Sequence, residues 1–257
     1  MMSNSKIMTL ARKALKGFWL KSIGMTIFGG FISWAIIFGF SLISILFLET
    51  GTGAPRNYLV SFVFEMIETI LIEILAIGFY AYLYEIYKHR KSSFRKLFVG
   101  FENFSRNAVI LIIVALIKGF FSSIADGFME YFSHRAPFEG NLFFYILLVA
   151  IVVVFLCYVG YKLLPTWVGL MLKMSMDDST YPTDLIRQTF SEVYGYNFKF
   201  FCLYLRFLGW GILGCLTLGI GFLWIIPYMT VSSVIFFDTI FNPEDYAVPE
   251  DPEQISI

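Results

Sequence analysis

Three ionisable residues stand inside long apolar runs, where charge is expensive: Glu73, Lys118 and Arg206. A charged side chain at the centre of a membrane helix costs about 2.5–3.5 kcal/mol on insertion scales, so such residues pair with one another or face a water-filled path. At helical rise, Glu73 lies about 21 Å before the basic stop at Lys88, and Arg206 lies about 12 Å into its own run, with Lys118 at similar depth in its own. These depths are compatible with a Glu73–Arg206 contact with Lys118 nearby. Such a cluster is either an ion pair that fixes helix register or the lining of a polar path through the bundle. Lys162 carries less weight, because its stem can snorkel to an interface. Glu65 and Glu68 share one helix face and read as looking into water outside.

Other chemistry is hard to find. The chain holds no H-E-x-x-H, G-x-S-x-G or G-x-x-x-x-G-K-[ST] pattern, and no Ser or Cys has an obvious partner base in sequence. Cys157, Cys202 and Cys215 all fall in apolar runs and read as small apolar fillers. His89 and His134 fall in loops on opposite sides of the membrane, too far apart to share a metal. No catalytic residue, metal or cofactor is expected.

The elements that must position the three charges follow from the apolar runs. A hydrocarbon core of about 30 Å needs about 20 apolar helical residues, and runs of that length occur at 22–48, 59–87, 108–127, 142–164, 198–217 and 220–241. The composition agrees: 58% hydrophobic and 19% aromatic, with a mean hydropathy of +0.73, against about 45–50% apolar residues in a soluble domain. The expected fold is all-α, a polytopic membrane protein with six transmembrane helices in one domain over 1–241. The first run is too long for a signal core and lacks a small-x-small cleavage site, so it reads as the first helix.

The formal charge is zero, but its distribution is uneven. With the N-terminus in the cytoplasm, fourteen Lys and Arg fall inside and only Arg56 and Arg135 outside, the remaining three lying in spans. The positive-inside rule therefore places both termini in the cytoplasm of a cell membrane. Before the first run, Ile7, Leu10, Ala11, Ala14, Leu15 and Phe18 recur at helical spacing opposite Lys6, Arg12, Lys13 and Lys16. This predicts an interfacial helix over 4–19, its apolar stripe in the acyl boundary and its bases near anionic lipid. A second surface helix is expected where Leu185, Ile186, Thr189, Phe190 and Val193 repeat. Pro165 predicts a kinked continuation of the fourth run. The tail 242–257, acidic and rich in proline, reads as disordered.

A recurrent pattern runs from Ile186 to Phe237. It comprises Ile186-Arg187, Gly195 with Lys199, Phe207-Leu208-Gly209-Trp210, Leu218-Gly219-Ile220-Gly221 with Leu223-Trp224, and Pro227-Tyr228. In these residues the chain resembles the bacterial membrane family called domain of unknown function 975, with weaker similarity at Arg12, Ala14-Leu15, Gly17, Trp19 and Gly78. The resemblance implies a six-helix membrane fold and no known reaction. The function expected is non-enzymatic: an accessory or organising role in the cell envelope through contacts with lipid or a protein partner, and none with nucleic acid. The alternative is a transporter or an export or immunity factor for a small amphiphile or antimicrobial peptide, with the buried charges lining its path. An intramembrane lipid-modifying enzyme is the third reading.

Overall fold

The computed structural model describes residues 2–47, 58–91, 93–134, 142–176 and 181–246, and every element among them is helical. Nine α-helices follow one another there: α1 (Asn4–Leu15), α2 (Trp19–Phe47), α3 (Tyr58–His89), α4 (Val99–Glu102), α5 (Phe104–His134), α6 (Leu142–Met176), α7 (Pro182–Val193), α8 (Asn197–Leu216) and α9 (Phe222–Phe241). Short 3-10 turns precede α4 at Phe94–Phe98 and follow α9 at Pro243–Tyr246.

Each expected apolar run lies on a helix. α2, α6 from Val149 to Met176, α8 and α9 are long and apolar enough to cross a membrane, and α5 joins them if it is counted with the segment Phe94–Glu102, from which it is bent by 80°. This gives four or five candidate crossings. α3 has the length, at 32 residues, but Glu65, Glu68, Glu73 and Glu85 dilute its apolar character. α6 continues without a break through Pro165.

Two corrections concern the surface helices and the tail. α1 starts on an N-cap, Ser3, whose hydroxyl accepts from the Lys6 amide at 3.4 Å. Its apolar face does not lie in an acyl boundary. Ile7, Ala11 and Leu15 are fully buried because α1 packs along α9, where protein replaces lipid as the apolar partner. The helix stops at Leu15, short of the expected residue 19. Its end is closed by the Lys16 amide, which donates to Arg12 O and Lys13 O, and by the Arg90 guanidinium, which donates to Lys13 O at 3.2 Å, Lys16 O at 2.8 Å and Ala14 O. α7 likewise buries Leu185, Thr189 and Val193 but leaves Phe190 exposed. The tail's first residues are ordered, since Pro243–Tyr246 folds back onto α9; residues 247–257 lie outside the described part.

The interior is concentrated at one end. Its buried residues come from α1, the start of α2, the second half of α3, the start of α5, the end of α6, α7, the first half of α8 and most of α9. The segment Phe94–Glu102 turns back along α3 to join them. Gly78 makes that return possible, because a Cβ there would run into the Leu97 carbonyl. Beyond this packed layer the helices carry apolar side chains outward, among them Phe31, Trp34 and Leu46 on α2, Leu116 and Phe120 on α5, and Val154 and Phe155 on α6. Such exposed apolar surface is what a lipid-facing helix presents.

Candidate functional site

Two polar centres lie among these helices. In the first, Glu73 on α3 is nearly buried and its carboxylate accepts a hydrogen bond from the Lys118 ammonium on α5. The same ammonium lies 5.6 Å from the ring centroid of Trp167 on α6, within cation–π range. One acid, one base and one aromatic face thus tie three helices together. Beside them, between α3 and α5, a groove of about 280 Å³ is lined by Glu65, Glu68 and Thr69 on one wall and by Ala115, Lys118 and Gly119 on the other. Three carboxylates and one ammonium therefore share this region of two membrane-length helices.

Arg206 is not part of it. The partner of Glu73 is Lys118, whereas Arg206 is exposed on α8, which packs on α9, α6 and α1. Position along a helix does not say which helices are neighbours.

The second centre was not anticipated. Asp238, near the end of α9, is fully buried and forms an ion pair with Lys88 at the end of α3, at 2.9 Å. Lys88 also donates to Asp245 at 2.7 Å. The Asp238 carboxylate further accepts from Asn242 Nδ2 at 2.8 Å and from the Tyr246 hydroxyl, and that hydroxyl meets the Tyr87 hydroxyl at 2.5 Å. A buried carboxylate is tolerable only when its lone pairs are met in this way. Burial works against the Lys88 charge, but the hydrogen bonds from Lys88 to Asp245 and Asp238 outweigh it and hold the ammonium above its usual range. Burial, then the bond to Asp238, pushes the Tyr246 phenol upward. The signal available in sequence was a lone acid in the apolar run 220–241, at the end that should meet Lys88.

A third feature is cationic. Thr9, Arg12 and Lys13 of α1 form, with Lys16 just past its end and Trp19, an open cleft of about 390 Å³. Arg12 is anchored by donating to the Tyr228 hydroxyl at 3.1 Å, and that hydroxyl donates to the Met8 carbonyl at 3.3 Å.

The recurrent pattern of the C-terminal part has structural work at several positions. Tyr228 is buried under α1, Pro227 is buried, and Gly195 and Gly219 have φ of +95° and +90° at the ends of α7 and α8. Gly221 sits against Gly214 in the α8–α9 turn. Trp210, Trp224 and Arg187 are exposed, and Gly209 has no neighbouring atoms that would exclude a side chain.

The family model described as Protein of unknown function (DUF975) matches residues 1–244. No curated protein matches the chain, and no solved structure does.

Proposed function

We propose, from the premise that the chain belongs to this family of unknown function, that it is a non-enzymatic protein of a bacterial cell membrane that organises lipid or a protein partner at the cytoplasmic face. It has six membrane-embedded helices and both termini in the cytoplasm. The observation that carries this reading is the packed layer at one end of the bundle. There α1, α7 and the segment Phe94–Glu102 join the helix ends, Lys88 and Asp238 are paired, and the bases of α1 face outward. A layer of this kind is a platform: polar groups such as Lys88 and Asp238 are used in holding the helices together, and the exposed bases of α1 are suited to anionic headgroups.

The test is extraction from the native membrane in lipid-preserving particles, followed by identification of co-purifying proteins and lipids. A stoichiometric protein partner or enriched anionic lipid supports the platform. A chain that arrives alone, with one enriched small amphiphile, supports the second reading, transport or export. That reading is favoured by the groove between α3 and α5, with Glu65, Glu68 and Lys118 on its walls. Under it, Glu73→Gln abolishes resistance to, or movement of, the amphiphile while the folded protein persists in the membrane.

A further inference from the structure

We propose that the α8–α9 hairpin does not cross the bilayer but ends among the acyl chains of the leaflet next to the packed layer, as an apolar wedge anchored by α1. Its partner is the interior of one lipid leaflet. The inference requires membrane residence and is independent of the platform role.

α1 sets the depth. Its Asn4 side chain donates to the Lys199 carbonyl at 3.0 Å, and its Met8 and Arg12 meet Tyr228, so it flanks the hairpin from Lys199 to Tyr228. The outer face of α1, with Lys6, Arg12, Lys13 and Lys16, is exposed. A face with four bases requires water or headgroups. The hairpin up to Tyr228 is therefore at or outside the headgroup layer, and from Tyr228 to Gly219 only about 13 Å of chain remains. The hydrocarbon core is about 30 Å thick.

Two neighbours agree. α6 runs in register with α9, Gly169 against Phe237 and Lys173 over Phe241. Counted back from Gly169, α6 reaches about 40 Å to Leu142, whereas from Phe237 the hairpin reaches about 27 Å to Gly219. Likewise, from the Lys88–Asp238 pair α3 reaches about 45 Å to Tyr58 and the hairpin about 28 Å. α2 keeps pace with α3, its Phe40 ring 5.9 Å from that of Phe64. The tip thus falls some 13–17 Å short of its neighbours on helical rise.

The turn is built for hydrocarbon. Leu218 is 94% exposed, and Leu216 and Ile220 are also exposed, so the turn offers mainly apolar side chains outward; Thr217 is exposed too, with its hydroxyl engaged inside the turn. Every backbone N–H from Thr217 to Phe222 nevertheless donates within the turn: to Leu213 O, Cys215 O, Gly214 O and Thr217 O, to the Thr217 hydroxyl, and to Gly219 O in chain order. The Thr217 hydroxyl itself donates to Gly214 O at 2.9 Å. Irregular backbone in contact with lipid is stable only when its donors are satisfied internally; a turn in water has no such need.

The experiment uses the full chain in membrane vesicles of both orientations, with Cys157, Cys202 and Cys215 replaced by serine. Single cysteines are placed at the tip (Leu218→Cys, Ile220→Cys), at the end of α1 (Lys16→Cys), between α2 and α3 (Arg56→Cys), and in mid-α2 (Ile37→Cys) as the control for membrane residence. An impermeant maleimide should label Lys16→Cys from one face and Arg56→Cys from the other. Both tip positions should stay at background from either face and react only in detergent, and a bimane on Leu218→Cys should be quenched more by a nitroxide at the acyl-chain end than by one at the headgroup. Tip labelling from the Arg56 face, tip labelling from the Lys16 face, or stronger quenching by the headgroup nitroxide each overturns the proposal. If Ile37→Cys is also labelled without detergent, the chain is not embedded and membrane residence fails with it.

Discussion

Asp238 shows how a single residue can hold a helix bundle together. Its carboxylate is removed from solvent and is met by Lys88, Asn242 and Tyr246, so removing one partner leaves a charge buried without compensation. Lys88→Met should cost about 3–5 kcal/mol, and Lys88→Met with Asp238→Leu together should recover most of that loss. Thermal unfolding in detergent checks the cycle; equal losses in the single and double variants would refute the pairing. The pH dependence has a definite sign. A lysine raised above its ordinary value contributes stability that is complete below that value and is lost only as pH rises through the folded one. Lys88 should therefore cause no fall in melting temperature between about pH 6 and pH 9, the ordinary lysine value being about 10.4. The Glu73 partnership is tested in the same way. Glu73→Gln with Lys118→Met should show coupling of about 0.5–3 kcal/mol, whereas Glu73→Gln with Arg206→Met should add within about 0.5 kcal/mol. Sequence placed Glu73 and Lys118 at compatible depths, but it could not exclude Arg206, because the exposure of an α8 residue depends on which helices flank α8.

At the scale of elements, periodicity located most helix ends to within a few residues, since runs of apolar residues and their flanking bases mark where a helix begins and ends, but α5 runs on to His134 and α6 to Met176, past the expected 127 and 164. It did not say what each apolar stripe covers. An amphipathic helix has one solution in lipid and another on protein, with the same sequence pattern in both, and α1 takes the second because α9 offers it a complementary face. Ile7→Ala should accordingly cost about 2–5 kcal/mol, as for a packed core position, while Lys13→Gln on the opposite face should change stability by less than about 0.5 kcal/mol. Equal, small effects on unfolding would place α1 back in the lipid. Gly78 gives the sharper case. The sequence marks it only as a pattern position before the basic loop, yet its missing side chain lets the Leu97 backbone lie against α3. Gly78→Ala forces backbone apart rather than a flexible side chain, so its cost should reach or exceed the roughly 1–3 kcal/mol of ordinary overpacking, seen as a lowered unfolding midpoint.

Across the whole molecule, the net charge of zero hides a segregation that has consequences for the membrane. Bases gather on α1 and around the loop after α3, while Glu65 and Glu68 stand toward the other end of α3. With no net charge there is little long-range attraction to an anionic surface, so any preference must come from local contacts within about 8–10 Å at physiological salt. The cleft of Thr9, Arg12, Lys13 and Lys16 supplies them, and Arg12 is already fixed by Tyr228. A ligand that binds only the folded chain stabilises it in proportion to the logarithm of its concentration over the dissociation constant. Transfer from zwitterionic to anionic bilayer discs should therefore raise the unfolding temperature, and the increment should shrink as salt is added. Replacing Lys6, Lys13 and Lys16 together by Gln should remove most of the increment, each base near an anionic surface contributing about 1 kcal/mol. An increment that survives both salt and the triple substitution would mean that the lipid acts through the apolar arms, and the cationic face of α1 would then be an orientation anchor and nothing more.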